Sequence, residues 1–115
     1  MEICKIRDLW QAISQFEADF ERQYGIGLNE GMTLCSLSSS DRLSSGELAA
    51  LMGLTCSNMS KVLCAAERKG LVERVLGEQD RRQMFFTLTP QGRELLSHIK
   101  CEEMTLPETL QKAIR

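Results

Sequence analysis

Apolar positions spaced by three and four residues predict a long helix near the start of the chain. Between residues 8 and 22 one stripe recurs at steps of four, three and four: Leu9, Ile13, Phe16 and Phe20. Such spacing places all four side chains on one helical face. Gly25 and Gly27 follow, and glycine commonly ends a helix. The pattern predicts an N-terminal amphipathic helix whose stripe has more apolar surface than a small core can cover.

A second, shorter helix is predicted after Asn29. Met32 and Cys35 are three residues apart, and we expect them to face inward. The following residues, SLSSSDRL, are polar and serine-rich, and they predict a loop.

Residues 44–69 have the pattern of a helix-turn-helix. Ser44-Ser45-Gly46-Glu47 has the form of a capping box, which starts a helix that ends at Gly53. Thr55 can cap a second helix that runs to Lys69 and is closed by Gly70. Two short helices joined by such a turn are typical of DNA-binding proteins, although helical hairpins also pack this way without binding anything.

The second of these helices separates its faces. Its predicted inward residues are Met59, Val62, Leu63 and Ala66. The opposite face is small, polar and basic, and it carries Ser57, Asn58, Ser60, Lys61, Cys64 and Arg68. Serine and asparagine can hydrogen-bond base edges or phosphates and lysine can neutralise phosphate, so this face suits a DNA major groove.

Residues 71–88 predict a β-hairpin directly after that helix. LVERV and QMFFTL have strand character, with Met84, Phe86 and Leu88 on one face, and a polar connection separates them. The connection contains Asp80, Arg81 and Arg82, and an arginine at such a tip can enter a minor groove. Asp80 would orient a guanidinium by a charge-assisted hydrogen bond. The alternative is a merely soluble loop.

The C-terminal part predicts two further helices. Thr89-Pro90 starts one that bears Leu95, Leu96 and Ile99, and Thr105-Leu106-Pro107-Glu108 resembles a new cap, so the chain should bend near Thr105. Leu110 and Ile114 follow. We expect one domain over residues 1–115, mainly α with a small β-hairpin wing, in which residues 1–25 and 94–115 form dimerisation helices.

The composition of the chain indicates its cellular location and shows an uneven distribution of charge. The chain has 115 residues, 43% hydrophobic and 26% charged, which is ordinary for one globular domain. No apolar run approaches the roughly 20 residues of a membrane span, so we expect a cytoplasmic protein. The net charge of −2 is uneven: residues 56–93 carry 7 basic and 4 acidic side chains, or +3. A local basic patch can bind a polyanion even in an acidic chain, although chance clustering would look the same.

The reactive side chains do not form a catalytic or metal-binding set. The five cysteines are an odd number and the only histidine is His98, which argues against a disulfide framework, a zinc site or any other cofactor. Cys56 and Cys64 lie on the helix that we expect to face DNA, where oxidation could weaken binding; idle thiols are the alternative. Cys35 and Cys101 are interpreted as packing residues.

The stretch from Glu47 to Leu95 resembles the DNA-binding core of the MarR (multiple antibiotic resistance regulator) family of winged-helix transcription factors. The likeness includes the ELA opening, the KGLVER junction, the DRR of the wing and the following LTPQGREL. The resemblance implies recognition-helix contacts at Ser57, Asn58, Ser60 and Lys61 and a wing pair of Asp80 and Arg82. It also implies a homodimer that releases DNA in response to a small aromatic ligand or an oxidant.

We therefore predict a sequence-specific regulator, a repressor, that binds a pseudo-palindromic operator in double-stranded DNA as a homodimer. A winged helix used only for protein–protein association is the alternative. A thiol enzyme is the least supported, since no set of nucleophile, base and orienting group is evident.

Overall fold

The structure of the chain is a computed structural model that describes residues 1–101 and 106–114. It contains two compact units, Met1–Leu28 with the C-terminal segment and Asn29–Cys101. The first unit contains α1 (Ile3–Tyr24) and α6 (Glu108–Ile114). The elements of the second unit, in chain order, are α2 (Leu28–Ser38), β1 (Leu43–Ser44), α3 (Ser45–Met52), α4 (Cys56–Arg68), β2 (Val72–Leu76), β3 (Met84–Leu88) and α5 (Pro90–Cys101).

Helix α1 ends as the sequence predicted. Gly25 adopts a left-handed conformation with φ of 73°, and its N–H donates to the Glu21 carbonyl. The apolar side chains of α1 are buried at its C-terminal end and exposed at its N-terminal end. Phe20 is buried and contacts Phe16 and Tyr24. The first three turns expose Ile3, Ile6, Trp10 and Ile13. Within this unit α1 packs against α6.

Helix α2 corrects the predicted orientation of its side chains. Met32 and Cys35 are exposed, not inward-facing, and the packing role expected for Cys35 was wrong. The buried face is instead formed by Gly31, Thr33, Leu34 and Leu37, together with Glu30. Leu34 and Leu37 have the larger apolar area and turn the helix so that Met32 and Cys35 lie on the opposite side.

The three-stranded antiparallel sheet has the order β1-β3-β2. β2 and β3 form the predicted hairpin, with Val72 opposite Leu88 and Leu76 opposite Met84. The alternation is as expected, with Phe86 and Leu88 buried and Met84 on the same face nearer the tip. Strand β1 was not predicted: Leu43 lies in the predicted loop and Ser44 was predicted only as a helix cap. In the structure they pair with Phe86 and Phe85.

Helix α5 starts at Pro90, and Thr89 caps it by accepting a hydrogen bond from the Gly92 N–H at 3.0 Å. Leu96 is buried, while Leu95 and Ile99 are half-buried. The bend predicted near Thr105 and the packing predicted for the Cys101 side chain lie outside the described part of the chain. The fold is thus mainly helical with a small antiparallel wing, which confirms the predicted fold class.

Candidate nucleic-acid interface

Both helices of the helix-turn-helix begin with the predicted caps. The Ser44 Oγ accepts from the Glu47 N–H at 3.1 Å, and the Glu47 carboxylate accepts from the Ser44 N–H at 3.0 Å. The Ser44 backbone N–H and, after it, the Ser44 hydroxyl interact with the Glu47 carboxylate and hold its pKa below its usual range. At α4 the Thr55 Oγ1 accepts from the Asn58 N–H at 3.1 Å. The starts of α3 and α4 are therefore fixed by the local sequence.

The turn between these helices depends on Gly53. Its φ of 67° is left-handed, and the Leu54 N–H donates to the Ala49 carbonyl at 3.0 Å. Ala49 and Leu48 are buried where α3 packs against α4. The small side chain of Ala49 allows the close approach of the two helices that sets the angle of α4.

Helix α4 has the predicted division of faces. Met59, Leu63 and Ala66 are buried and Val62 is half-buried. The predicted DNA-contacting side chains are all exposed: Ser57, Asn58, Ser60 and Lys61. No acidic residue lies in the first turn of α4, so the partial positive charge of the helix N-terminus is not neutralised there. This end of α4 is suited to a phosphate-rich partner.

The tip of the wing brings Asp80 and Arg82 together. The Arg82 Nε donates to Asp80 Oδ1 at 3.1 Å, and the Arg82 backbone N–H donates to the same oxygen at 2.9 Å. The guanidinium and then the backbone bond hold the pKa of Asp80 below its usual range. The Arg82 side chain remains 92% exposed, and Arg81 is also exposed. Asp80 therefore orients a cation that still faces solvent.

The wing turn itself is closed by backbone hydrogen bonds. The Gly77 N–H donates to the Gln83 carbonyl at 2.8 Å, and the Gln83 N–H donates to the Asp80 carbonyl at 3.0 Å. A Cβ at Gly77 would lie 2.6 Å from the Asp80 carbonyl oxygen. The turn therefore has no room for a side chain at this position.

A contact that sequence reasoning missed joins the wing to α4. The Arg74 Nε donates to Glu67 Oε2 at 2.9 Å, which raises the pKa of Arg74. The Arg74 guanidinium also lies 5.6 Å from the centre of the Phe86 ring and donates to the Met84 sulfur at 3.5 Å. The Arg74–Glu67 ion pair joins strand β2 of the wing to the last turn of α4. The one signal in the sequence was Glu67, an isolated acidic residue on an otherwise basic helix.

A second missed contact lies at the other end of α4. The Lys69 Nζ donates to both carboxylate oxygens of Glu30, each at 3.0 Å. The two residues are far apart in the sequence, and nothing local in it relates them. Glu30 is nevertheless the one buried acidic side chain of the part of the chain that is described.

The two cysteines predicted on α4 are accessible to solvent. Cys56 and Cys64 are both exposed, free thiols. Within residues 1–101 and 106–114 no group of three or more His, Cys, Asp or Glu side chains could hold a metal ion. Among the same residues no single helix is long and apolar enough to cross a membrane; α3 and α4 pass that test only as a pair, bent by 108°.

Comparison with known proteins identifies the architecture. The profile of the MarR family matches residues 26–84, just over half of the chain. The Escherichia coli HTH-type transcriptional regulator PapX is 25% identical over 89% of this chain and 73% of its own length.

Two solved structures extend the comparison. AbsC, a MarR family transcriptional regulator from Streptomyces coelicolor, is 30% identical over 86% of this chain and 70% of its own, with a TM-score of 0.74. A point mutant of S. aureus MepR, solved bound to an oligodeoxyribonucleotide, is 27% identical over 83% of this chain and 70% of its own, with a TM-score of 0.69. PapX and AbsC are transcriptional regulators. This chain therefore belongs to the MarR family of DNA-binding transcriptional regulators.

Proposed function

We propose that the chain is a transcriptional repressor that binds a pseudo-palindromic operator in double-stranded DNA as a homodimer. The observation that carries the proposal is the exposed face of α4, which is small, polar and basic and is flanked by a wing with an oriented arginine. In this role α4 enters the major groove, where Asn58, Ser57 and Ser60 bond base edges or phosphates and Lys61 neutralises phosphate.

The wing contributes charge and fit to the minor groove in this proposal. Arg82 is held by Asp80, so little side-chain freedom remains to be lost on binding, and Arg81 adds a second cation. A narrow minor groove concentrates negative potential and favours such guanidinium groups. Arg81 and Arg82 would therefore raise affinity for all duplexes, while α4 selects the sequence.

The proposed homodimer is supported by the start of α1. Ile3, Ile6, Trp10 and Ile13 are spaced by three, four and three residues, the spacing of a coiled-coil seam, and Trp10 is 72% exposed. A cluster of that size on one helix is typical of an interface. Trp10→Ser should shift a dimer toward monomer in sedimentation equilibrium, with Gln11→Ser as the matched control on the neighbouring exposed position. An intact chain that is monomeric at tens of micromolar would refute the dimer.

An effector that releases DNA is also part of the proposal. The exposure of Cys56 and Cys64 supports an oxidant, because both thiols are accessible and lie on the helix that would enter the groove. Operator binding should fall after hydroperoxide treatment and recover with dithiothreitol, and the Cys56→Ser, Cys64→Ser variant should not respond. An equal response in that variant would exclude both thiols and assign the response to another oxidisable residue. A wild type that does not respond to hydroperoxide would exclude the oxidant and leave a small-molecule effector.

The decisive experiment is selection of bound duplexes from a random pool at several salt concentrations. We expect an enriched inverted repeat with half-sites about 34 Å apart, one turn of DNA. Affinity should fall steeply with salt, because phosphate contacts release counterions. If no duplex is retained at any salt concentration, DNA binding is refuted and a protein–protein association module in the cytoplasm becomes the better interpretation.

A further inference from the structure

The C-terminal end of α4 is held on two sides. On one side Lys69, the C-cap residue of α4, bonds Glu30 of α2. On the other side, the Thr89 Oγ1 donates to the Gly70 carbonyl at 2.6 Å and the Thr89 N–H donates to the Leu71 carbonyl at 3.1 Å. Both α2 and the start of α5 thus fix the short segment that follows the recognition helix.

The Glu30 carboxylate is in an unusual position for a charged group. Its side chain is only 9% exposed, whereas that of Lys69 is 43% exposed. A buried carboxylate is unfavourable unless it is paired, and the two equal contacts at 3.0 Å supply that pairing. The ammonium also lies at a helix C-terminus, where positive charge is favoured.

The presence of the Glu30–Lys69 pair is not well explained by its contribution to the stability of the fold. Even a partly buried ion pair gives little stability beyond what two apolar residues would give, because desolvation of the carboxylate offsets the attraction. Its directional contacts do, however, specify one arrangement of the groups that carry it. In this chain those groups belong to α2 and to the end of the recognition helix.

We infer that Glu30 is a positioning residue for operator recognition, acting through Lys69 to fix the direction of α4. Asn58 and Lys69 are eleven residues apart, or about 16 Å along the helix axis at about 1.5 Å per residue. Glu30 therefore acts at the far end of the helix from the proposed base-reading residues. A small pivot at Lys69 becomes a larger displacement at Asn58, where hydrogen bonds to base edges are sensitive to distance. The inference rests on the proposed DNA binding.

The substitution Glu30→Gln separates this role from simple electrostatics. Removing one negative charge from a DNA-binding protein should, by charge alone, leave duplex affinity unchanged or raise it. If Glu30 positions α4, the effect of Glu30→Gln on operator affinity should be the opposite. Affinity for the operator should fall about tenfold, which is comparable to the loss of one base contact. Affinity for random duplex should not fall. The matched control is Glu73→Gln, which removes a charge from an exposed side chain without an ion pair among the described residues. It should not weaken operator binding.

The test measures operator and random-duplex affinity by fluorescence anisotropy for the full-length wild type, Glu30→Gln, Lys69→Gln and the double variant. Positioning by the pair predicts that the three variants lose operator affinity to similar extents, so that the two substitutions are strongly non-additive. If Lys69 instead contacts phosphate independently, Lys69→Gln will weaken both duplexes, Glu30→Gln will not weaken the operator, and the effects will add. That result would overturn the inference.

Thermal unfolding of each variant shows whether a loss of operator affinity comes from unfolding of the protein or from a change in the position of α4. Binding is compared at a temperature at which all variants are folded. If Glu30→Gln does not fold, the inference is tested with the double variant, which has no uncompensated buried charge. Normal operator affinity in the double variant overturns the inference, and a loss of affinity confined to the operator supports it. A wild type that binds neither duplex refutes the proposed function itself, which the same assay shows before any variant is compared.

Discussion

Replacing Gly92 with alanine should destabilise the winged-helix unit through a single steric overlap. Gly92 is buried in the first turn of α5, and a Cβ there would overlap the carbonyl oxygen of Leu71 and lie 3.0 Å from its carbonyl carbon. The obstructing atoms belong to the backbone and cannot rotate away. The same Leu71 carbonyl accepts the Thr89 N–H, so moving it also strains the cap of α5.

The expected magnitude follows from two opposing effects. Alanine is favoured over glycine in a helix by about 1 kcal/mol. Overpacking costs about 1–3 kcal/mol and more where the neighbour is rigid, and we take about 3 kcal/mol because a backbone carbonyl must shift. The net loss is about 2 kcal/mol, and at about 4 °C per kcal/mol for a chain of this size the melting temperature should fall by about 8 °C.

Two other glycines provide controls for this prediction. At Gly46 in α3 the nearest atom to an added Cβ is the Ser44 Oγ at 4.0 Å, so Gly46→Ala should unfold at or slightly above the wild-type temperature. At Gly53 the added Cβ meets nothing within 4 Å, but φ is 67°, so Gly53→Ala should cost about 1 kcal/mol from conformation alone. Calorimetry of the three variants separates overlap from strain. A Gly92→Ala variant that melts with the wild type would refute the reasoning.

Three further predictions concern the proposed DNA-binding surface. Arg82→Ala should weaken operator and random duplex together and reduce the log-log salt slope by about one, and unchanged affinity at several salt concentrations would exclude the wing from binding. Asn58→Ala should relax base preference at one position by about 1–3 kcal/mol without unfolding, because the side chain is exposed; a variant that unfolds but keeps its base preference would show that the helix faces are misassigned. The Asp80–Arg82 pair should be intact at neutral pH and lost in acid: since the folded-state pKa of Asp80 is lowered from 3.8, the stabilisation is present above pH 3.8 and disappears as pH falls through the lower folded value. Nuclear magnetic resonance titration of the Asp80 carboxyl in the wild type and in Arg82→Ala would check this, and equal pKa values in the two would contradict it.

The elements that depend on neighbouring residues were predictable from the sequence. The capping box at Ser44, the cap at Thr55 and the left-handed glycines at 25 and 53 are local devices, and each appears in the structure as expected. The faces of α4 were also predictable, because thirteen residues contain enough apolar positions to define a stripe. The predicted DNA-contacting residues are exposed together, while their contacts with DNA stay a prediction.

The features that depend on distant partners were not predictable. Strand β1 has two residues and exists only because β3 pairs with it, so it leaves no alternation to detect. In α2 the two residues Met32 and Cys35 were too few to set the orientation, which buried Leu34 and Leu37 decide. The partner of Glu30 is a lysine at the far end of the helix-turn-helix, and no local pattern predicts an ion pair across that separation.

Ser44 belongs to two elements, and this links the opening of the sheet edge to the fraying of α3, the first helix of the helix-turn-helix. It pairs with Phe85 as the last residue of β1 and also caps α3 through reciprocal bonds with Glu47. Opening the β1 edge therefore removes the cap, and fraying of α3 releases the strand. In hydrogen exchange, the amides of Glu47 and of the β3 residues facing β1 should open as one cooperative unit and share one protection factor. Because β1 and β3 are far apart in the sequence, we expect closure of this edge, and with it the capping of α3 by a paired Ser44, to be a late event in folding.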